Sequence, residues 1–373
     1  MYEIKIAEPV LSSNIIPKLK RILHSGNLAQ GKWVEKIEKN LAEYLNASFC
    51  VAVSSGTAAL HAALSILNIG PGDEVITTPF TFISTASAIL MVGAKPVFVD
   101  IEYDSFLIDP TQIEGKISKR TKAIIAVDLF GQMADYQKIS SFAKKNGIFV
   151  IEDACQALGS RQKRKPIGSL ADIATLSFYA TKPLTAGEGG AIITNSKKFA
   201  KKAKSFRNIG RNLKNPELFN ILGFNYRMTE FQAVILLSQL PKFEENLVQR
   251  RKNANFLTSN LSKIPGIETP TVENENQHTF SQYTIKVKKP YPLNHNQLKK
   301  KFDKAKIETK IYYPLPLHLQ PLFANLGYQK GDFPNAEQTA NQTLSLPIHP
   351  LVSKKDLNRI VKIIKVGSTI AST

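Results

Sequence analysis

Hydrophobic positions in the first half of the chain follow two alternating rhythms. Short runs rich in β-branched residues at 50–53 (CVAV), 74–77 (EVIT), 96–99 (PVFV), 122–127 (KAIIAV), 148–152 (IFVIE), 173–178 (IATLSF) and 190–194 (GAIIT) predict strands. Between them, 57–67, 81–91, 135–146 and 197–205 space their apolar residues as helices do. Strand–helix–strand order of this kind predicts an α/β protein with a mostly parallel seven-stranded sheet, whose ligands lie beyond the carboxyl ends of the strands. From 227 to 262 the period becomes long and helical, with Pro241 as a break or kink. The run QYTIKV (282–287) then reads as a strand of a smaller α+β unit. The expected division is a large domain over 1–245 and a small C-terminal domain over 246–373.

Length supports that division, because 373 residues exceed the usual size of one domain. No run approaches the roughly 18 apolar residues of a membrane helix, and the first residues lack the pattern of a signal peptide. A cytoplasmic protein without a membrane partner is expected. Cys50 and Cys155 are the only cysteines, far apart and without histidines at zinc spacing, so neither a disulfide framework nor a metal site is expected. A net charge of +19 raises the question of nucleic acid. The lysines are scattered, however, and the one dense run, LKKKFDKAK (298–306), reads as the solvated face of an amphipathic helix. No nucleic-acid partner is expected, and a small anionic substrate explains the sign equally well.

Three strand ends carry chemistry. SSGTAAL (54–60) is a strand, a tight turn and an alanine-rich helix whose first amides, at Gly56 and Thr57, can hold a phosphate or simply form an N-cap. IEDACQALG (151–159) ends a strand on two carboxylates; Asp153 can pair with a cationic ring nitrogen or be a solvated acid, and Gln156 can lie beside the same ring or cap a helix. SFYATKPLTAGEGG (177–190) holds Lys182. A phosphate-loop lysine needs glycines before it and Ser or Thr after it, whereas Pro183 follows here and the glycines come later. A surface lysine remains possible, but the apolar strand upstream and the Ser177 hydroxyl favour a lysine in an apolar pocket, which loses its charge readily and can form a Schiff base. Together these segments suggest pyridoxal phosphate.

These motifs resemble, in order and separation, the DegT/DnrJ/EryC1/StrS group of sugar aminotransferases, over nearly the whole chain from SGNLAQGKWVEKIEKNLAEYLNA (25–47) to SLPIHP (345–350). DEVITTPFTFISTASAI, GAKPVFVDI and NYRMTEFQAVILLSQL belong to the same ordered set. The resemblance implies the fold type I of pyridoxal phosphate enzymes and a transaminase reaction with glutamate and 2-oxoglutarate as the donor pair. It implies a Schiff base at Lys182, Asp153 on the pyridinium nitrogen, Gln156 near the ring hydroxyl and Phe82 stacked on the ring. Gly56, Thr57 and Ser177 become phosphate contacts. Asn225 becomes one contributed by a neighbouring subunit, so a homodimer with shared active sites is implied. Relatives with histidine in place of the lysine are dehydratases; lysine favours transamination.

The substrate implied is a nucleotide-linked ketosugar used in cell-surface polysaccharides. IYYPLPLHLQPLF (311–323), TLSLPIHP (343–350) and SQYTIKV (281–287) look closest to the branch that aminates C3 of a UDP-linked 2-acetamido-3-oxo-glucuronic acid. Arg227 would meet its acid group or serve in a structural ion pair, and Tyr313 and His318 would reach the sugar. GEGG departs from the GDGG of that branch, and Glu188 can orient the lysine loop or touch sugar. A C4 aminotransferase on a dTDP-, UDP- or GDP-sugar, a dehydratase and a non-catalytic regulatory relative are the alternatives.

Overall fold

In the computed structural model, which describes residues 2–12, 14–273 and 275–368, seven strands form one sheet. Its order is Phe49–Val53, Gly190–Thr194, Ile173–Ser177, Phe149–Asp153, Thr121–Val127, Glu74–Thr77, Lys95–Phe98. Every pairing is parallel except those of Gly190–Thr194, which runs against both neighbours. Apart from the edge strand Lys95–Phe98, the strands are largely buried on both faces, and this explains why their sequences are continuous apolar runs with little alternation. The predicted strands are present within a residue or two at each end.

Because six strands share a direction, Val53, Thr77, Asp153 and Ser177 all end at one edge. The reversed strand begins at that edge with Gly190, paired to both Val53 and Ser177. A Cβ there would lie 2.3 Å from the Ser55 carbonyl oxygen, so only glycine lets the two backbones meet.

A second sheet, antiparallel, orders Ile267–Glu268, Tyr283–Val287 and Thr343–Leu346. It packs in one apolar cluster with residues of the helices Phe243–Leu261, His295–Lys304 and Lys354–Ser368. The dense basic run lies on the second of these helices, which buries His295, Leu298 and Phe302 and leaves its lysines exposed or half-exposed. Pro241 sits in a short 3₁₀ turn between Glu230–Gln239 and Phe243–Leu261, so the long helical pattern is two helices. One segment departs from the sequence division: Ile4 bridges Ile307 and is buried in the second unit's core. Tyr2, Ile4 and Ile6 alternate with charged residues, but so short a pattern does not show which core it joins.

Candidate active site

The helix Gly56–Ile66 begins directly beyond the first strand, with Ser55 as its cap: the Ser55 side chain accepts from the Ala58 amide at 3.1 Å. The amides of Gly56 and Thr57 have no carbonyl of their own helix to reach, and they carry the positive end of its dipole. Ser177 closes against this turn. A Cβ on Gly56 would lie 2.9 Å from Ser177 Cβ and 3.1 Å from Cys155 Sγ; the glycine keeps a cradle of amides and hydroxyl open. The Thr57 hydroxyl is 2.7 Å from that of Ser84, at the start of the next helix.

Asp153, 3% exposed, ends the central strand. Its Oδ2 accepts from the Thr85 hydroxyl at 2.7 Å and its Oδ1 from the Cys155 amide at 3.3 Å. Thr85 is itself 3.1 Å from the Thr81 hydroxyl. Neither threonine stood out in the sequence; the signal was the Ser/Thr density of TFISTAS. The Lys182 amine lies near Asp153 and Cys155, and burial lowers its pKa while those two groups oppose the shift. Burial raises the Cys155 thiol, with the Asp153 charge adding to it. Cys155 is only half-buried and belongs to this cluster.

Gln156 receives the Phe130 amide at 3.3 Å and donates to the Tyr313 hydroxyl at 3.1 Å. Tyr313 thereby joins the wall around Gln156, with its ring 6.0 Å from that of Phe80 and 6.4 Å from that of Phe82. Phe82 is 53% exposed, unlike an ordinary core aromatic. Glu188 is exposed, and among the described residues only its carbonyl is engaged, by Gln232 at 2.9 Å.

Two expected contacts lie on a segment paired with the end of the first strand, where the Ser54 amide donates to the Tyr226 carbonyl at 2.8 Å and Arg227 bridges Val53 through the backbone. Asn225 is exposed and bridges Asn208 through the backbone. Arg227 donates to the Asn208 side chain at 2.7 Å; among the described residues no carboxylate pairs with it, so the structural ion pair is absent. His318 is not brought to the site. It is 2% exposed, its Nε2 lies 3.0 Å from Glu337 and its ring stands edge-on to Phe333. The expected sugar contact is replaced by a packing role, because the proline-rich loop folds this histidine inward onto an aromatic cluster.

A phosphorylated, electron-withdrawing pyridine aldehyde fits this donor set. The open cradle at Gly56 suits the phosphate, the buried carboxylate suits a protonated ring nitrogen, and the desolvated amine suits a carbonyl. Among the described residues no three His, Cys, Asp or Glu side chains gather as a metal would need, and no helix is long and apolar enough to cross a membrane.

A sequence model of the DegT/DnrJ/EryC1/StrS aminotransferase family matches residues 9–365. The chain is 42% identical over 356 residues to the pleiotropic regulatory protein of Geobacillus stearothermophilus, covering 94% of each. It is 36% identical over 360 residues to the UDP-2-acetamido-2-deoxy-3-oxo-D-glucuronate aminotransferase of Pseudomonas aeruginosa, covering 96% of this chain and 97% of that one. Among solved structures, the PLP form of Spr1654 from Streptococcus pneumoniae superposes with a TM-score of 0.92 at 27% identity, over 98% and 99% of the two chains.

Proposed function

Because the chain belongs to the DegT/DnrJ/EryC1/StrS aminotransferase family, we propose that it transfers an amino group from glutamate to the keto carbon of a nucleotide-linked sugar, and that C3 of a UDP-2-acetamido-3-oxo-hexuronate suits it best. The family's enzymes depend on pyridoxal phosphate. The observation that carries the reading is Lys182, an amine with its charge disfavoured by burial, set near Asp153 at the edge where the six co-directional strands end. Arg227 supports the acidic sugar: its guanidinium has only a neutral partner, leaving donors for a carboxylate.

When bound, pyridoxal phosphate supplies a carbonyl for amines and a ring that withdraws electrons from the carbon bearing them. Gly56, Thr57 and Ser177 would hold its phosphate, Phe82 and Gln156 its ring. Asp153 would keep the ring nitrogen protonated, and Thr85 orients Asp153. Lys182 Nζ, once free, takes a proton from the substrate carbon and returns it on the neighbouring position, as a weakly charged amine can. Enclosure by Gln156 and Tyr313 limits water on one side.

A homodimer with shared sites belongs to this proposal. Asn225 is exposed at the end of a loop that also exposes Leu213, Leu218, Phe219 and Leu222, the last 85% exposed. An apolar surface of that kind calls for cover.

The name of the relative from Geobacillus stearothermophilus favours a second reading, a regulatory protein. The buried Thr85–Asp153 bond and the desolvated Lys182 weigh for catalysis, since binding alone needs neither. Incubating the enzyme with glutamate and a panel of UDP-, dTDP- and GDP-linked ketosugars, and identifying products by mass spectrometry and NMR, tests the proposal. A UDP-3-amino-hexuronate is expected; no aminated product from any of the panel would remove it.

A further inference from the structure

We propose that His61 is a positioning residue for the neighbouring subunit's cofactor: through the Tyr226 hydroxyl it latches the segment that offers Asn225 across the dimer. The inference rests on the shared-site homodimer proposed above and adds to it what holds the shared residue in place.

His61 lies on the helix Gly56–Ile66, the one whose first amides form the phosphate cradle, and is 4% exposed. Its Nδ1 is 3.0 Å from the Tyr226 hydroxyl, which among the described residues is the one hydrogen-bond partner of this imidazole. Burial lowers the pKa of His61 and raises that of Tyr226, so at neutral pH an uncharged ring can accept the phenol proton. The imidazole also stands edge-on to Phe206, Phe224 and Tyr226, with centroids 5.4, 4.8 and 5.8 Å away. Another ring at 61 would fill the same space; the bond to the hydroxyl needs the nitrogen.

The segment that His61 grips is extended. The Phe224 amide donates to the Phe206 carbonyl at 2.7 Å and the Tyr226 amide to the Arg207 carbonyl at 2.9 Å, and residues of such a segment alternate between two faces. Phe224 and Tyr226 stack on each other at 5.3 Å and turn toward His61. Asn225 and Arg227 are left on the opposite face. Asn225 is exposed, and its side chain has no hydrogen-bond partner among the described residues. Phe206 and Phe224 also close the base of the loop that exposes Leu213, Leu218, Phe219 and Leu222. The helix proposed to hold one phosphate by its first amides therefore steadies, by His61, the residue proposed to reach the other.

Hybrid dimers separate this role from packing. Two differently tagged chains are co-expressed, one carrying Lys182→Ala so that a single lysine gives the visible band. The doubly tagged apoenzyme is then titrated with pyridoxal phosphate. Tyr226→Phe keeps the stacked ring and removes the hydroxyl. Placed in the Lys182→Ala chain, it is expected to raise the half-saturating concentration at the intact lysine roughly three- to tenfold, the loss of one hydrogen bond. Placed in the chain that keeps Lys182, it should leave that concentration unchanged. His61→Leu should act as Tyr226→Phe does, and His61→Asn, whose amide can meet the hydroxyl, should return the hybrid toward wild type. A defect that follows the Lys182 chain, one equal in both arrangements, or none in either overturns the latch, since a merely structural role harms the chain that carries it. Asn225→Ala in the Lys182→Ala chain tests the shared site itself. Loss across the dimer with Asn225→Ala but not with Tyr226→Phe removes the latch alone. No loss with either, or no doubly tagged species, removes the shared site and the latch with it.

Discussion

The Thr85 hydroxyl donates to Asp153 Oδ2 at 2.7 Å, and it is the shortest bond to the carboxylate on which the proposed ring-nitrogen contact depends. A hydrogen bond to a charged group contributes about 1.5–3 kcal/mol. Thr85→Val keeps the shape and removes the donor. It is expected to weaken cofactor binding roughly tenfold and to lower kcat, while Thr85→Ser restores both. Titrating the apoenzyme with pyridoxal phosphate and following absorbance checks this; unchanged affinity in the valine variant would show that Asp153 needs no such partner.

Lys182 gives the sharpest spectroscopic test. The purified protein is expected to be yellow, and Lys182→Ala to lose the visible band and roughly 10²–10⁴-fold of its turnover, the range of a positioned acid/base. Asp153→Asn should retain some cofactor and lose most turnover. A colourless wild type that takes up no added pyridoxal phosphate would sink the central assignment.

The Gly56 cradle separates packing from binding. In Gly56→Ala the new methyl meets Ser177 Cβ at 2.9 Å, an overpacking that costs about 1–3 kcal/mol. The apoenzyme should unfold at lower urea and the loaded enzyme should lose cofactor affinity. Adding Ser177→Gly is expected to restore the urea midpoint without restoring the cofactor, because the hydroxyl is gone. Recovery of both would mean that Ser177 is no phosphate contact.

Much of the scaffold was legible because each strand is a short apolar run and each turn at the functional edge is spelled by Ser, Gly or Pro. Local pattern also placed Lys182, Asp153 and Gln156 near one another through a known family's motif order. The contacts that tune them were not legible. Thr85 and Asp153 lie 68 positions apart, and nothing local marks one threonine among several as the donor. His318 reads as a sugar contact in the sequence because a loop histidine looks exposed until the loop's fold over Phe333 is known. Glu152 and Asp153 looked like one acidic pair, yet successive strand residues point to opposite faces. One serves the site, and the other is buried in the core.

That second carboxylate makes stability depend on pH. Glu152 Oε2 accepts the Gly168 amide at 2.7 Å, and Asp128 Oδ1 accepts the Tyr136 hydroxyl at 2.9 Å and the Ala134 amide at 3.0 Å. Glu152 Oε1 and Asp128 Oδ2 are left to each other. Burial raises Glu152 from 4.5 to about 7, against the pull of its hydrogen bonds, and raises Asp128 through burial and the Glu152 charge. Two fully buried acids so placed are satisfied by one shared proton. The folded protein therefore keeps a proton that the unfolded chain releases above the ordinary glutamate value of 4.5. Its stabilising effect is complete below that value and is lost as pH rises through about 7, at about 1.4 kcal/mol per pH unit for one proton. Burial lowers the pKa of His61, His278, His295 and His349 and so pushes stability up with pH toward the ordinary histidine value in either protein; the pair is therefore read from the difference between wild type and variant in urea midpoints at pH 5, 6, 7 and 8. Glu152→Gln keeps an acceptor for Gly168 and supplies a permanent donor to Asp128, so the wild-type midpoint should fall relative to that of the variant as pH rises. Parallel curves for the two proteins would mean that the pair holds no proton in this range.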